Sequence, residues 1–320
     1  MLSADAAADA GALRRQIEQA AARIAADVRR TPLWRLPGRA LGLDVAEVWL
    51  KLEHLQIGGS FKARGMFNRM RSLPLPPAGV VVASGGNAGI AVATAARALG
   101  VPCEVFLPEV STPAKRAALA ALGATVNVRG AVYAEALAAC QARQRETGAL
   151  LMHAYDQSEV VIGAGTLAAE IEADAGALPD RLLVSVGGGG LVAGIAAWCA
   201  GRCRVEALEP ERAPTLHAAR QQGRPVDVAV AGVAADSLGA QRIGSIAWDI
   251  SQRWVDGSLL LPDEAIRAAQ QRLWRDYRLA VEPAAALGPA ALWSGALRPQ
   301  PHERVAVVLC GANFDPASLA

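Results

Sequence analysis

Lysine is nearly missing from this chain. Of 32 basic residues among 320, only Lys51, Lys62 and Lys115 are lysine. Arginine can carry surface charge in lysine's place, but its guanidinium does not deprotonate in a protein. Chemistry that needs a neutral amine must therefore fall to one of these three. Net charge is also missing: 32 basic residues face 30 acidic ones. No segment gathers enough Lys and Arg to track phosphates, which argues against nucleic acid as a partner. No apolar run reaches membrane-spanning length, so no membrane partner is expected. Asp5 and Asp9 stand where an export signal would carry positive charge, and a cytoplasmic protein is expected. The 5 cysteines, an odd number in a long chain, read as reduced thiols. The histidines His54, His153, His217 and His302 are scattered, and Cys199 with Cys203 lacks the further ligands a zinc site needs. The tryptophans read as packing.

What is present is apolar. The chain is 52% hydrophobic and long enough for one large domain or two closely packed ones. Residues 12–30 read as an amphipathic helix through Leu13, Ile17, Ala20, Ala21 and Ile24, ended by Thr31-Pro32. Beyond it, VAEVWLKLE, GVVVAS, CEVFLP, TVNV, RLLVSV, VEALEP and RVAVVL read as strands separated by alanine-rich helical stretches. That alternation predicts an α/β protein with a buried, mostly parallel sheet.

Three constellations could carry chemistry. In GGSFKARG the helical spacing of Ala63, Met66, Phe67 and Met70 starts a helix with Ser60 as its expected N-cap. Lys62 then falls in the first turn, where the helix dipole disfavours an ammonium and lowers the amine's pKa. Ser84-Gly85-Gly86-Asn87-Ala88-Gly89 joins a buried strand to a helix, where backbone N–H groups suit a carboxylate. Gly187-Gly188-Gly189-Gly190-Leu191 does the same and suits a phosphate. Gly188, Gly190 and Ala193 also satisfy the dinucleotide pattern G-x-G-x-x-A, with Glu206 or Glu209 at the distance of a ribose ligand. A nicotinamide-dependent oxidoreductase is therefore a competing reading, although it leaves Lys62 and the other loop unused.

Taken together, LKLEHLQIGGSFKARG, VVASGGNAGIAVATAARALG, SVGGGGLVAGIA, VEPAAAL and VVLCGANFD resemble the serine/threonine dehydratases. These are pyridoxal-phosphate enzymes of fold type II, the tryptophan-synthase β-like fold. The resemblance runs in order over roughly residues 30–315. It implies two domains, each an open, mostly parallel sheet flanked by helices: a large cofactor-binding domain from 1–52 and 154–320, and a small substrate-binding domain from 53–153. It implies that Lys62 forms the Schiff base with the cofactor, Phe61 packs on its ring, and Asn87 meets its 3-hydroxyl oxygen. Gly187, Gly188, Gly189, Gly190 and the Leu191 amide would hold the phosphate, and Cys310 would meet the pyridine nitrogen. Ser84 with the amides of Gly85, Gly86, Asn87 and Ala88 would take the substrate carboxylate. A monovalent cation at Glu209, Ala213 and Thr215 belongs to the same set of expectations, as does a homodimer.

The implied reaction is removal of water and ammonia from L-serine or L-threonine, leaving pyruvate or 2-oxobutanoate. Asn87-Ala88 in place of Asn-His, Cys310 in place of serine, and Asp236-Ser237-Leu238-Gly239 lean toward the serine-dehydratase branch. Another β-eliminating or β-replacing reaction on a modified amino acid, or a non-catalytic cofactor-binding protein, are the further alternatives. Gly85 stands where racemising relatives carry a serine, so elimination without racemisation is expected. The chain stops soon after Phe314, and feedback inhibition through a C-terminal regulatory domain is not expected.

Overall fold

The computed structural model describes residues 4–319. Two sheets organise the molecule. The larger contains β1 (Leu33–Pro37), β2 (Glu47–Lys51), β7 (Arg181–Ser185), β8 (Arg204–Pro210), β9 (Gly257–Leu261) and β10 (Arg304–Val308), ordered β1-β2-β10-β7-β8-β9. The smaller contains β3 (Val80–Ala83), β4 (Cys103–Leu107), β5 (Thr125–Val128) and β6 (Leu150–Met152), ordered β5-β4-β3-β6. All neighbouring strands run parallel except β1 and β2, which pair antiparallel with Leu33 opposite Lys51. β3 and β7 are buried along their whole length, as parallel strands covered on both faces must be.

The helices are α1 (Ala4–Ile24), α2 (Lys62–Ser72), α3 (Asn87–Leu99), α4 (Pro113–Ala121), α5 (Tyr133–Thr147), α6 (Ser158–Ala175), α7 (Gly190–Cys199), α8 (Thr215–Gln222), α9 (Ser245–Trp254), α10 (Asp263–Tyr277) and α11 (Leu287–Trp293). Among the described residues, no helix is long and apolar enough to cross a membrane. α1 ends earlier than its apolar spacing predicts. Ile17, Ala20 and Ile24 are buried, but Ala25 and Ala26 are exposed. The chain turns at Ile24, so that the Arg29 N–H can donate to Gln56 Oε1 at 2.7 Å. β1, β6 and β9 were not expected. β6 has only 3 residues, too few to show a pattern. β1 lies at a sheet edge, has no fully buried residue, and carries Pro37, which a central strand would not tolerate.

α6 is the element that fixes the site. A Cβ on Gly163 of α6 would lie 2.7 Å from Gly65 Cα of α2, and one on Gly165 would lie 2.8 Å from the Gly194 carbonyl of α7. Glycine at these positions lets both neighbouring helices approach at backbone distance. A buried ion network locks the first of these contacts. Arg64 of α2 grips both oxygens of Glu53 (2.8 and 2.6 Å) and reaches Glu170 of α6 at 3.0 Å. Lys51, with no exposed surface, donates to the same Glu170 at 2.6 Å. Removing one partner from such a buried network strands a charge and costs about 3–5 kcal/mol. Lys51 thus has a structural task, two residues past which the chain turns toward Lys62.

Candidate active site

Loops at the carboxyl ends of β3, β7 and β10 converge on one cavity, the usual place for ligands in parallel sheets. α2 presents Lys62 to it. The cap differs from the sequence expectation. Ser60 is extended (φ −161°, ψ 160°), forms an antiparallel bridge to Gly311, and does not cap α2. Phe61 precedes the helix instead, and its N–H donates to the Cys310 carbonyl at 3.0 Å. The start of α2 is therefore stitched to the end of β10, which brings Phe61, Lys62 and Cys310 onto the same cavity wall. Lys62 Nζ donates to the Ala154 carbonyl at 2.6 Å and lies 5.0 Å from the Phe61 ring centroid. Burial pushes its pKa down to about 8, although the nearby Cys310 and Glu282 pull the other way. Desolvation, more than the helix dipole, makes this amine easy to deprotonate.

The loop after β7 is an anion cradle. Its carbonyls point away and are already engaged: Gly187 O accepts from Thr215 Oγ1 at 2.5 Å and Gly188 O from Gly244 N at 3.0 Å. Its amides, from Gly187 through Val192, donate to no protein acceptor among the described residues. Gly187, Gly188, Gly189, Gly190 and Leu191 all line the cavity. A Cβ on Gly188 would stand 2.2 Å from the Tyr155 ring, and Gly189 holds φ +89°. These positions cannot carry side chains. The loop after β3 is looser. Asn87 reaches the cavity wall, whereas Ser84, Gly85, Gly86 and Ala88 do not line it. Ser84 Oγ accepts from the Gly86 N–H at 3.4 Å. The Asn87, Ala88 and Gly89 amides at the start of α3 have no protein acceptor among the described residues.

Glu282 is a cavity residue that sequence reasoning missed. It is 2% exposed, and its carboxylate accepts from Asn87 Nδ2 (2.8 and 3.0 Å) and from the Asn313 N–H (3.2 Å). Burial pushes its pKa up to about 7. The signal was present: between Leu279 and Trp293 it is the one charged residue in an apolar stretch. Ser185, Ser237, Leu238 and Ala284 complete the wall. Cys310 is buried, and burial together with the charge of Glu282 pushes its thiol up, so it stays neutral. Lys115 of α4 pairs with Asp236, tying the small-sheet side to the loop that carries Ser237.

The residues expected to hold a cation form a hydrogen-bonded cap at the start of α8. Glu209 Oε1 accepts from Leu216 N at 2.7 Å, and Oε2 from His217 N at 2.8 Å and Ser258 Oγ at 3.2 Å; Thr215 Oγ1, whose proton goes to the closer Gly187 carbonyl, lies 3.1 Å from Oε1. The Ala213 carbonyl accepts from Thr215 N at 3.2 Å. A cation held by this set would share the Glu209 oxygens with those donors and would use the second lone pair of the Ala213 carbonyl and the Thr215 hydroxyl oxygen. The ribose reading fails, because Glu206 pairs with Arg181 and Glu209 is committed to α8.

Comparison with known proteins agrees with this geometry. Residues 24–311 match the family described as pyridoxal-phosphate dependent enzyme. Phenylserine dehydratase of Ralstonia pickettii is 35% identical, covering 93% of this chain and 92% of its own. The threonine deaminase of T.th. superposes with a TM-score of 0.86 at 35% identity, covering 94% of this chain and 98% of that one. Maize serine racemase superposes with a TM-score of 0.89 at 28% identity, covering 96% and 95%. The chain belongs to the pyridoxal-phosphate dependent enzymes of fold type II. Its cofactor is pyridoxal phosphate, and the cavity fits that group: a run of unpaired amides for the phosphate, a buried amine for the aldehyde, and a neutral thiol within the same walls. The nicotinamide reading is set aside.

Proposed function

We propose that this lyase is an L-serine/L-threonine dehydratase, releasing a 2-oxo acid and ammonia. The observation that carries the reading is Lys62: an amine with a depressed pKa, at the rim shared by two sets of unpaired helix-start amides. Pyridoxal phosphate, when bound, supplies an aldehyde that condenses with amines and a conjugated ring that accepts negative charge. The amides of Gly187–Leu191 would hold its phosphate, Phe61 would cover its ring, and Asn87 would face its 3-hydroxyl oxygen. Cys310, uncharged, would meet the ring nitrogen without protonating it.

Removal of the Cα proton falls to the chain's own residues. Ser84 and the amides from Gly85 to Ala88 would orient the substrate carboxylate, fixing the Cα–H bond toward Lys62; of these, the Asn87 and Ala88 amides have no protein acceptor among the described residues. The Lys62 Nζ takes that proton as general base. The bonding pair becomes the Cα–Cβ double bond as the β-hydroxyl departs as water, its uptake of one proton balancing the one Lys62 has accepted, and that water is regained when the product's C–N bond hydrolyses. Serine thereby gives pyruvate plus ammonia with atoms balanced. An amino-acid panel assayed for 2-oxo acid tests the reading; L-serine and L-threonine are expected to be turned over. Release from neither would overturn it.

Relatives named for phenylserine, threonine and serine share the fold, so the β-substituent is the least constrained part of the proposal. Elimination without racemisation is supported by Gly85. It carries no proton, and a Cβ there would point at Leu107 Cδ2, 2.9 Å away, rather than into the cavity.

A further inference from the structure

Glu282 makes no contact that the proton transfers above require, yet it is the most confined acid of the cavity. Its carboxylate lies beneath Asn87, with Asn87 Nδ2 bridging both oxygens at 2.8 and 3.0 Å. From the other side, Asn87 Oδ1 accepts from Asn313 Nδ2 at 2.7 Å, and the same Nδ2 donates to the Gly58 carbonyl at 2.8 Å. The Asn313 backbone N–H returns to Glu282 at 3.2 Å. The Asn87 carboxamide is thus gripped at both ends, and its flip is forbidden while Glu282 accepts. Space enforces the grip: a Cβ on Gly311 would stand 2.6 Å from Glu282 Oε1, so the strand end that carries Cys310 closes over the carboxylate.

We propose that Glu282 is a positioning residue for this enzyme, setting the orientation of the Asn87 carboxamide toward the cofactor. The inference rests on the placement of Asn87 proposed above. An ionised carboxylate accepts from both donors; a protonated one must donate its own proton and surrenders one of those bonds. The groups facing Glu282 are Lys62 from α2, Asp236 from the loop before Ser237, and Cys310 after β10. Burial and Asp236 favour the neutral acid, while Lys62, Asn87 and Asn313 favour the carboxylate. The balance falls near neutral pH, so the grip loosens as the solution is acidified.

The test uses holoenzyme variants Glu282→Gln, Glu282→Ala and Asn87→Ala, with the double variant Glu282→Gln/Asn87→Ala. Bound-cofactor absorbance is followed from pH 5 to pH 9 without substrate, alongside pH profiles of kcat and KM. The wild type is expected to show a transition near pH 7 in absorbance and in kcat. Glu282→Gln should remove that transition while retaining cofactor, and Glu282→Ala should lower kcat about tenfold. The double variant should behave as Asn87→Ala alone, because both changes act through one amide. A transition unmoved in Glu282→Gln, or additive losses in the double variant, would overturn the proposal. Absorbance reads the outcome even if no amino acid is turned over, which separates failure here from failure of the dehydratase reading.

Discussion

The two glycine loops at the cavity differ in how they are held. Around Gly188 a Cβ would strike the Tyr155 ring at 2.2 Å, and around Gly189 the Ala247 Cβ at 2.5 Å. Around Gly86 the nearest atom to a Cβ is the Asp236 carbonyl at 3.5 Å, an ordinary contact. The first loop is packed from behind, with its carbonyls tied off. The second is pinned at Asn87 by Glu282 and Asn313 and is tight at Gly89, but around Gly86 it leans on one weak side-chain bond to Ser84. An invariant ligand such as a phosphate is served by a rigid seat. A substrate that must enter, react and leave is served by the looser one.

The comparison breaks most visibly at Gly188. Gly188→Ala should weaken cofactor affinity on the order of a hundredfold, because the backbone must move off the Tyr155 ring. Equilibrium titration of cofactor into stripped protein measures it. The join between the loops is tested by pH. Folded Glu282 keeps its proton up to about 7, whereas an ordinary carboxyl loses it near 4.5. Its contribution to stability is therefore complete below about 4.5 and is lost as pH rises through 7. Thermal melting of cofactor-free protein should show Glu282→Gln gaining on the wild type between those limits, by roughly 3 kcal/mol at most.

Gly86→Ala sharpens the contrast from the other side. Cofactor affinity should stay within about threefold, while KM for the amino acid rises about tenfold. The smallest effect is expected at Gly85. Its Cβ direction faces Leu107, so Gly85→Ser should yield D-serine at no more than a few per cent of the rate of pyruvate release, by chiral analysis of partly consumed L-serine.

Much of this was legible in the sequence. Lysine scarcity narrowed the candidate amines to Lys51, Lys62 and Lys115, and parallel strands such as VVVA and RLLVS announced themselves because burial on both faces demands continuous apolar runs. Gly187–Gly190 read as an anion cradle, although the same glycines also fitted a dinucleotide pattern. What escaped depends on contacts between distant segments. Ser60 has the chemistry of a cap, but pairing with Gly311 overrode it. That Glu209 caps α8, with amides of that helix on both its oxygens, was not legible either. Glu282 takes its meaning from Asn87, 195 residues away in sequence. Local pattern carries propensity; it does not carry partners.

The central claim is that Lys62 is the base of a 2-oxo-acid-releasing elimination. Its most direct measurement compares wild type and Lys62→Ala, both loaded with cofactor, for pyruvate release from L-serine and 2-oxobutanoate release from L-threonine. The account predicts steady release by the wild type and a loss of at least about a thousandfold in Lys62→Ala, with cofactor held but no longer covalently attached. Near wild-type release from Lys62→Ala would contradict it.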